Sequence, residues 1–162
     1  MHIFQHLVGQ TIKDIKRRDK EVDYDFYMPV GLHFITNKEE NELGLYIGVL
    51  NDGASTDITI INTDDLLDRN GADFSVETFL NKLKPNDELI PFIGEKILKI
   101  RLAKFIISEI RGETFNIVNG TYAGVELITT NNKFTFYNNN GGCLSINEEV
   151  QIPLSERWIW NE

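Results

Sequence analysis

Apolar and polar residues alternate with period two along much of this chain. In DKEVDYDFYMP, residues 19–29, Asp19, Glu21, Asp23 and Asp25 form one set, and Val22, Tyr24, Phe26 and Met28 form the other. Successive side chains on a strand point to opposite faces. The spacing therefore predicts a strand with a row of four carboxylates on one face, no basic residue in that row, and an apolar opposite face. Strands of the same kind are predicted within GLHFITNKEENELGLYIG (31–48), ITII (58–61), GVELITTNNKFTFYN (124–138) and LSI (144–146). Asn131-Asn132 and the run from Asn138 to Gly142 predict hairpin turns, because Asn and Gly tolerate positive φ.

The order of these strands repeats. LVGQTIKDIK (7–16) aligns with FIGEKILKIR (92–101), 85 residues later. In each copy a Gly then opens a strand ending in Ile-Thr, followed by a polar turn, an aromatic strand, an Asn/Gly turn and a short apolar strand. This predicts a duplicated β-meander, with units of about 5–62 and 90–147. Gly9 and Gly94 stand at the start of each copy and mark a turn or bulge.

Between the copies the period changes. DFSVETFLNKL (73–83) spaces Val76, Phe79, Leu80 and Leu83 helically, with Ser75 placed as N-cap and Pro85 beyond the end. A short helical linker is predicted over 73–85. Residues 94–110 fit either period; the match to residues 7–16 favours a long bent strand. SERWIW (155–160) predicts a last strand that ties down the C-terminus. The predicted fold is α+β, mostly β: two similar antiparallel meanders with one short helix between them, in one compact domain over 1–162.

Composition narrows the function. The chain has 162 residues, 41% hydrophobic and 25% charged, as expected of one soluble domain. Its net charge of −9 argues against nucleic-acid binding, which needs a basic footprint, and against anionic membrane surfaces. The acidity is uneven: residues 1–73 hold 14 acids against 7 bases, and the remainder 11 against 9. Cys143 is the single cysteine, so no internal disulfide forms and a reducing cytoplasm is expected. MHIFQHLVGQTIKDIKRR lacks the pattern of a signal peptide, and no apolar run approaches the roughly 20 residues of a membrane helix.

Candidate chemistry is sparse. His2 and His6 have the i, i+4 spacing of two metal ligands on a helix, but no Cys stands near and a helix is doubtful there. A calcium loop starting at Asp19 would put Tyr24 at its sixth position, where Gly is needed; one starting at Glu21 would put Phe26 there. Cys143 reads as a small strand residue, because the histidines lie more than 100 residues earlier. No nucleophile elbow, phosphate loop or dinucleotide fingerprint occurs. No enzyme activity, metal or cofactor is expected.

The acidic row then has two readings. It is a solvated edge strand whose charges block aggregation, or a docking face for a basic partner. Tyr27 follows on the same face and suits an interface. Glu39, Glu40 and Glu42 in NKEENE, and Asp64, Asp65 and Asp68 after INT, would extend it. With this acidic face, the acid-rich turns and the VGQTIKDI and IGEKILKI openings, the chain resembles, in overall texture, a bacterial immunity protein of the polymorphic or contact-dependent toxin systems. The resemblance implies a cytoplasmic inhibitor that binds and neutralises a basic cognate toxin, such as a nuclease. The alternatives are a β-barrel-like small-ligand-binding protein and a scaffold or assembly component. Oligomeric state is open.

Overall fold

The computed structural model describes residues 4–23, 26–50, 52–70, 81–105, 109–110, 113–114, 121–149 and 158–161. In chain order the elements are β1 (Asp14–Asp23), β2 (Phe26–Asn37), β3 (Leu43–Val49), β4 (Thr56–Ile61), α1 (Thr63–Asn70), β5 (Asn81–Lys82), β6 (Ile97–Phe105), β7 (Glu109–Ile110), β8 (Glu113–Thr114), β9 (Thr121–Tyr122), β10 (Gly124–Thr129), β11 (Lys133–Asn138), β12 (Gly142–Ile146) and β13 (Trp158–Asn161). The fold is α+β and mostly β. One sheet has the order β5-β1-β2-β3-β4-β9, the other β12-β11-β10-β6-β13, and β7 pairs with β8.

The two sheets are built on the same register. In the first, Ile15 faces Phe34, Leu32 faces Ile47 and Leu45 faces Ile60. In the second, Ile100 faces Leu127, Val125 faces Phe136 and Phe134 faces Ile146. These are the same positions of the two sequence copies, so the duplication read from the residues is a duplication of strand pairing.

The copies join around a pseudo-twofold axis. Each begins with a 3-10 turn, Gln5–Leu7 or Ile90–Phe92, followed by Gly9 (φ 91°) or Gly94 (φ 92°). That backbone region carries a steric penalty for any residue with a Cβ, which explains the glycine in both copies. Gly9 N–H donates to Ile97 O (2.7 Å) and Gly94 N–H to Ile12 O (2.8 Å). Ile12 N–H donates to Glu95 O and Ile97 N–H to Gln10 O, both 2.9 Å. Thr11 faces Lys96 at the centre. Every bond has its partner under the 85-residue repeat.

The inward residues of both sheets form one core, including Ile12, Ile15, Leu32, Phe34, Leu45, Ile47, Phe92, Ile97, Val125, Leu127, Phe134 and Phe136. Phe134 packs edge-on against Phe34 (centroids 5.2 Å apart) and Phe92 (6.2 Å). Alternation supplies these residues from each strand, and their burial drives the two sheets together. At one corner the chain passes from sheet to sheet through Ala123, between β9 and β10, where Ala123 N–H donates to Ala103 O (2.9 Å). At the other corner Gly142 lies against the Pro29 carbonyl.

Two expectations change. Of the helix expected over 73–85, residues 73–80 lie outside the described residues. Asn81–Lys82 is instead strand β5, paired with Lys16 and Arg17. The described helix is earlier, at Thr63–Asn70, where Asp64, Asp65 and Asp68 had read as acids following a strand. Asn62 starts it as N-cap, its Oδ1 accepting from Asp65 N–H at 2.8 Å, and Asp64 and Asp65 lie in its positive first turn. β5 covers β1 only at Lys16 and Arg17, and no described strand pairs with the acidic stretch from Asp19 onward on that side. The strand readings of 97–105 and of the C-terminal tail agree with β6 and β13.

Candidate functional site

The acidic row does not keep its simple alternation. The β1–β2 pairing shifts register between Arg18 and Asp19 and again between Glu21 and Asp23. Pro29 stands opposite Asp19 and has no N–H to give the ladder, so the register slips there. Asp19 also has a cation in its own row. Arg17 Nε donates to Asp19 Oδ1 at 2.9 Å, and its Nη1 reaches Asp87 (3.3 Å) and Glu88 (3.7 Å). Asp19 is thus part of a closed ionic cluster at the β1 margin. Glu21 pairs with Tyr27, and Asp23 with Phe26, along the backbone near the hairpin end. The side chains of Glu21, Asp23, Tyr27 and Asp68, and all of Asp25, lie outside what is described.

The remaining acids gather elsewhere. The turn from Lys38 to Glu42 joins β2 to β3, with Asn41 (φ 54°) and Glu42 (φ 58°) in the left-handed region. Asn37 Oδ1 accepts from Glu39 N–H at 3.0 Å. Thr63 N–H, at the start of α1, donates to Asn41 O at 3.1 Å. That bond sets the first turn of α1 beside the β2–β3 turn. Glu39, Glu40, Asp64 and Asp65 are therefore brought to one end of the first sheet, all four exposed. None has an ion-pair partner among the described residues. The hairpin end of β1–β2 lies about 35 Å away, counting roughly 3.3 Å per residue along the length of β2. The sequence row and the acidic turns therefore occupy opposite ends of the sheet.

Glu42 has a different role from its neighbours. Its Oε1 accepts from Lys16 Nζ at 2.8 Å, and Lys16 holds its carboxyl below the usual glutamate range. Lys38, in the same turn, reaches Asp14 at 3.8 Å. Beneath Glu42 lies His33, fully buried on β2. His33 Nε2 bonds the Ile61 carbonyl at 2.9 Å, so that nitrogen carries the proton. Burial pushes its pKa down, with Lys16 acting in the same sense; the Ile61 carbonyl and Glu42 oppose this. His33 and Lys16 are the site residues that the sequence reading missed. Their partners lie 28 and 26 residues away, so no local pattern marks them.

The other chemical candidates are accounted for locally. His6 is exposed, in a 3-10 turn, and its carbonyl accepts from Gln10 Nε2; His2 is outside the described residues. Cys143 is half-buried on β12, and burial pushes its thiol pKa up, opposite to what a nucleophile needs. Glu95 is a buried carboxylate with Thr129, Asn131 and Asn132 each donating to it at 2.7 Å. Among the described residues no three metal-ligating side chains cluster, and no helix is long and apolar enough to cross a membrane. No protein-family model, curated protein or solved structure matches the chain.

Proposed function

We propose that this protein is a cytoplasmic binding protein whose acidic first half docks a basic protein partner, in the manner of an immunity protein that masks a cognate toxin. The observation that carries this reading is the convergence of Glu39, Glu40, Asp64 and Asp65 at one end of the first sheet, exposed and without ion pairs among the described residues. Like charges held together at one end of a sheet repel one another, and a cationic partner relieves that repulsion. Each exposed pair adds only about 0.2–1 kcal/mol, so the charges would serve encounter rate and partner choice more than affinity. The small-ligand alternative has weaker support, because Phe34, Phe92 and Phe134 are used in packing against one another.

The test uses the protein as bait, beside a variant carrying Glu39→Lys, Glu40→Lys and Asp64→Lys, with Asp65 kept because it serves the α1 cap. The expected result is a basic protein retained by the wild type, released by salt and lost in the variant. Producing that protein alone should arrest growth of the host, and co-production with the wild type should restore it. Equal retention by both baits, or a harmless partner, would overturn the toxin-inhibitor reading.

A further inference from the structure

One of the described contacts that hold the acidic end is made by a buried histidine. The Ile61 carbonyl is the last of β4, and α1 starts two residues later. His33 Nε2 holds that carbonyl at 2.9 Å. Thr63 N–H then ties α1 to Asn41 O, and Lys16 ties Glu42 to β1. Tyr46 and Leu66, with Ile61 packed beside them, form a cluster separate from the main core. Among the described residues α1 thus rests on a cluster apart from the main core, so its opening leaves that core packed.

We propose that His33 is an acid-sensitive latch: while neutral it pins the β4–α1 junction to β2, and once protonated it frees α1 from the β2–β3 turn. A neutral imidazole needs only one acceptor here, and the Ile61 carbonyl supplies it. An imidazolium has two N–H groups, and the buried Nδ1 has no hydrogen-bond partner. The charged groups that act on the ring are Lys16 from β1 and Glu42 from the turn; β3 and β4 present the backbone carbonyls of Gly44 and Ile61. Glu42 is already committed to Lys16, so it cannot fully compensate a second cation. The Gly44 carbonyl favours the charged ring as well, but it is the smallest of these influences and burial outweighs it.

The sign follows from linkage. A histidine whose folded pKa lies below its ordinary value of 6.5 binds fewer protons folded than open. The closed form is fully stable above that value and loses stability as the pH falls below it, by up to about tenfold in population per pH unit. Because Glu42 is held below the usual glutamate range, the Lys16–Glu42 pair survives the first part of this descent.

The experiment is amide exchange by NMR on the full chain at pH 7.5 and pH 5, as protection factors corrected for intrinsic rates. The amides of Thr63 and Leu66, bonded to Asn41 O and Asn62 O, should lose about tenfold or more, while those of Ile12 and Ile97 at the pseudo-twofold axis stay unchanged. In His33→Gln the Thr63 and Leu66 protection should not depend on pH over this range. Protection that is equal at both pH values, or lost from all four amides together, overturns the latch. If the variant does not fold, the wild-type ring is titrated directly. A His33 midpoint that differs from that of α1 opening overturns it equally. The readout needs no partner, so it can fail while the docking proposal stands, and the reverse.

Discussion

Phe134→Ala probes whether the two sheets share one core. Phe134 is fully buried, with Phe34 of the first sheet at 5.2 Å, Phe92 of the 3-10 turn at 6.2 Å, and Phe136 of its own strand at 6.3 Å. Truncating a buried Phe costs about 3–5 kcal/mol through lost transfer energy and the cavity left behind. Three ring neighbours, each worth about 0.5–1.5 kcal/mol beyond area, put this site at the upper end, about 4–5 kcal/mol. Phe134→Leu keeps most of the volume and should lose mainly the ring contacts, about 2 kcal/mol. The assay is urea unfolding followed by far-UV circular dichroism and by fluorescence of Trp158 and Trp160, both on β13 of the second sheet. Both probes should shift together with an unchanged m-value. A loss below about 1.5 kcal/mol for the alanine variant would refute the shared core. So would a shift seen by fluorescence alone, which would mean the sheets unfold separately.

Other consequences are equally specific. Gly142→Ala should destabilise by about 1–3 kcal/mol in the same unfolding assay, because its Cβ meets the Pro29 backbone carbonyl, which cannot swing away as a side chain tip can. Glu95→Ala should cost about 1–3 kcal/mol, since it removes an acceptor shared by Thr129, Asn131 and Asn132. Burial alone would raise the Glu95 pKa, yet these donors outweigh it and hold the group below 4.5. Its stabilisation is thus complete above that pH and is lost as the pH falls through the folded-state value, so the wild-type minus Glu95→Gln difference should shrink on acidification. Asn62→Ala should loosen α1 by about 1 kcal/mol, seen as faster exchange at Asp65 without a change in the core amides.

How far the sequence could be read depended on the range of each interaction. Period-two alternation and Asn/Gly turns are local, and they located the strands containing Phe34, Leu45, Leu127 and Phe134. The echo of residues 7–16 in 92–101 also carried through, because both copies need the same positive-φ glycine and the same exchange of backbone bonds. The helix at Thr63–Asn70 was missed for want of length, though its Asn62 and Asp65 cap was visible. The two-residue strand β5 has no local signal; its pairing with Lys16 and Arg17 is set by the fold. The acidic row loses strict alternation at Val22, an extra β1 residue between Glu21 and Asp23 that shows only in the pairing with β2. Of its acids, Asp19 is taken by Arg17 into a cluster with Asp87, a contact across 70 residues that no local pattern marks. Glu39, Glu40, Asp64 and Asp65 were legible as acids, but their meeting depends on one bond, Thr63 N–H to Asn41 O.

The central claim is that this end, and not the β1–β2 hairpin, meets a basic partner. The most direct measurement is calorimetric affinity of the captured partner at two salt concentrations, for the wild type, for Glu39→Lys/Glu40→Lys/Asp64→Lys, and for Glu21→Lys/Asp23→Lys at the hairpin. Strong, salt-sensitive binding that weakens at least tenfold in the turn variant, and stays near wild type in the hairpin variant, is the predicted result. Loss confined to the hairpin variant, or affinity indifferent to both, would contradict it.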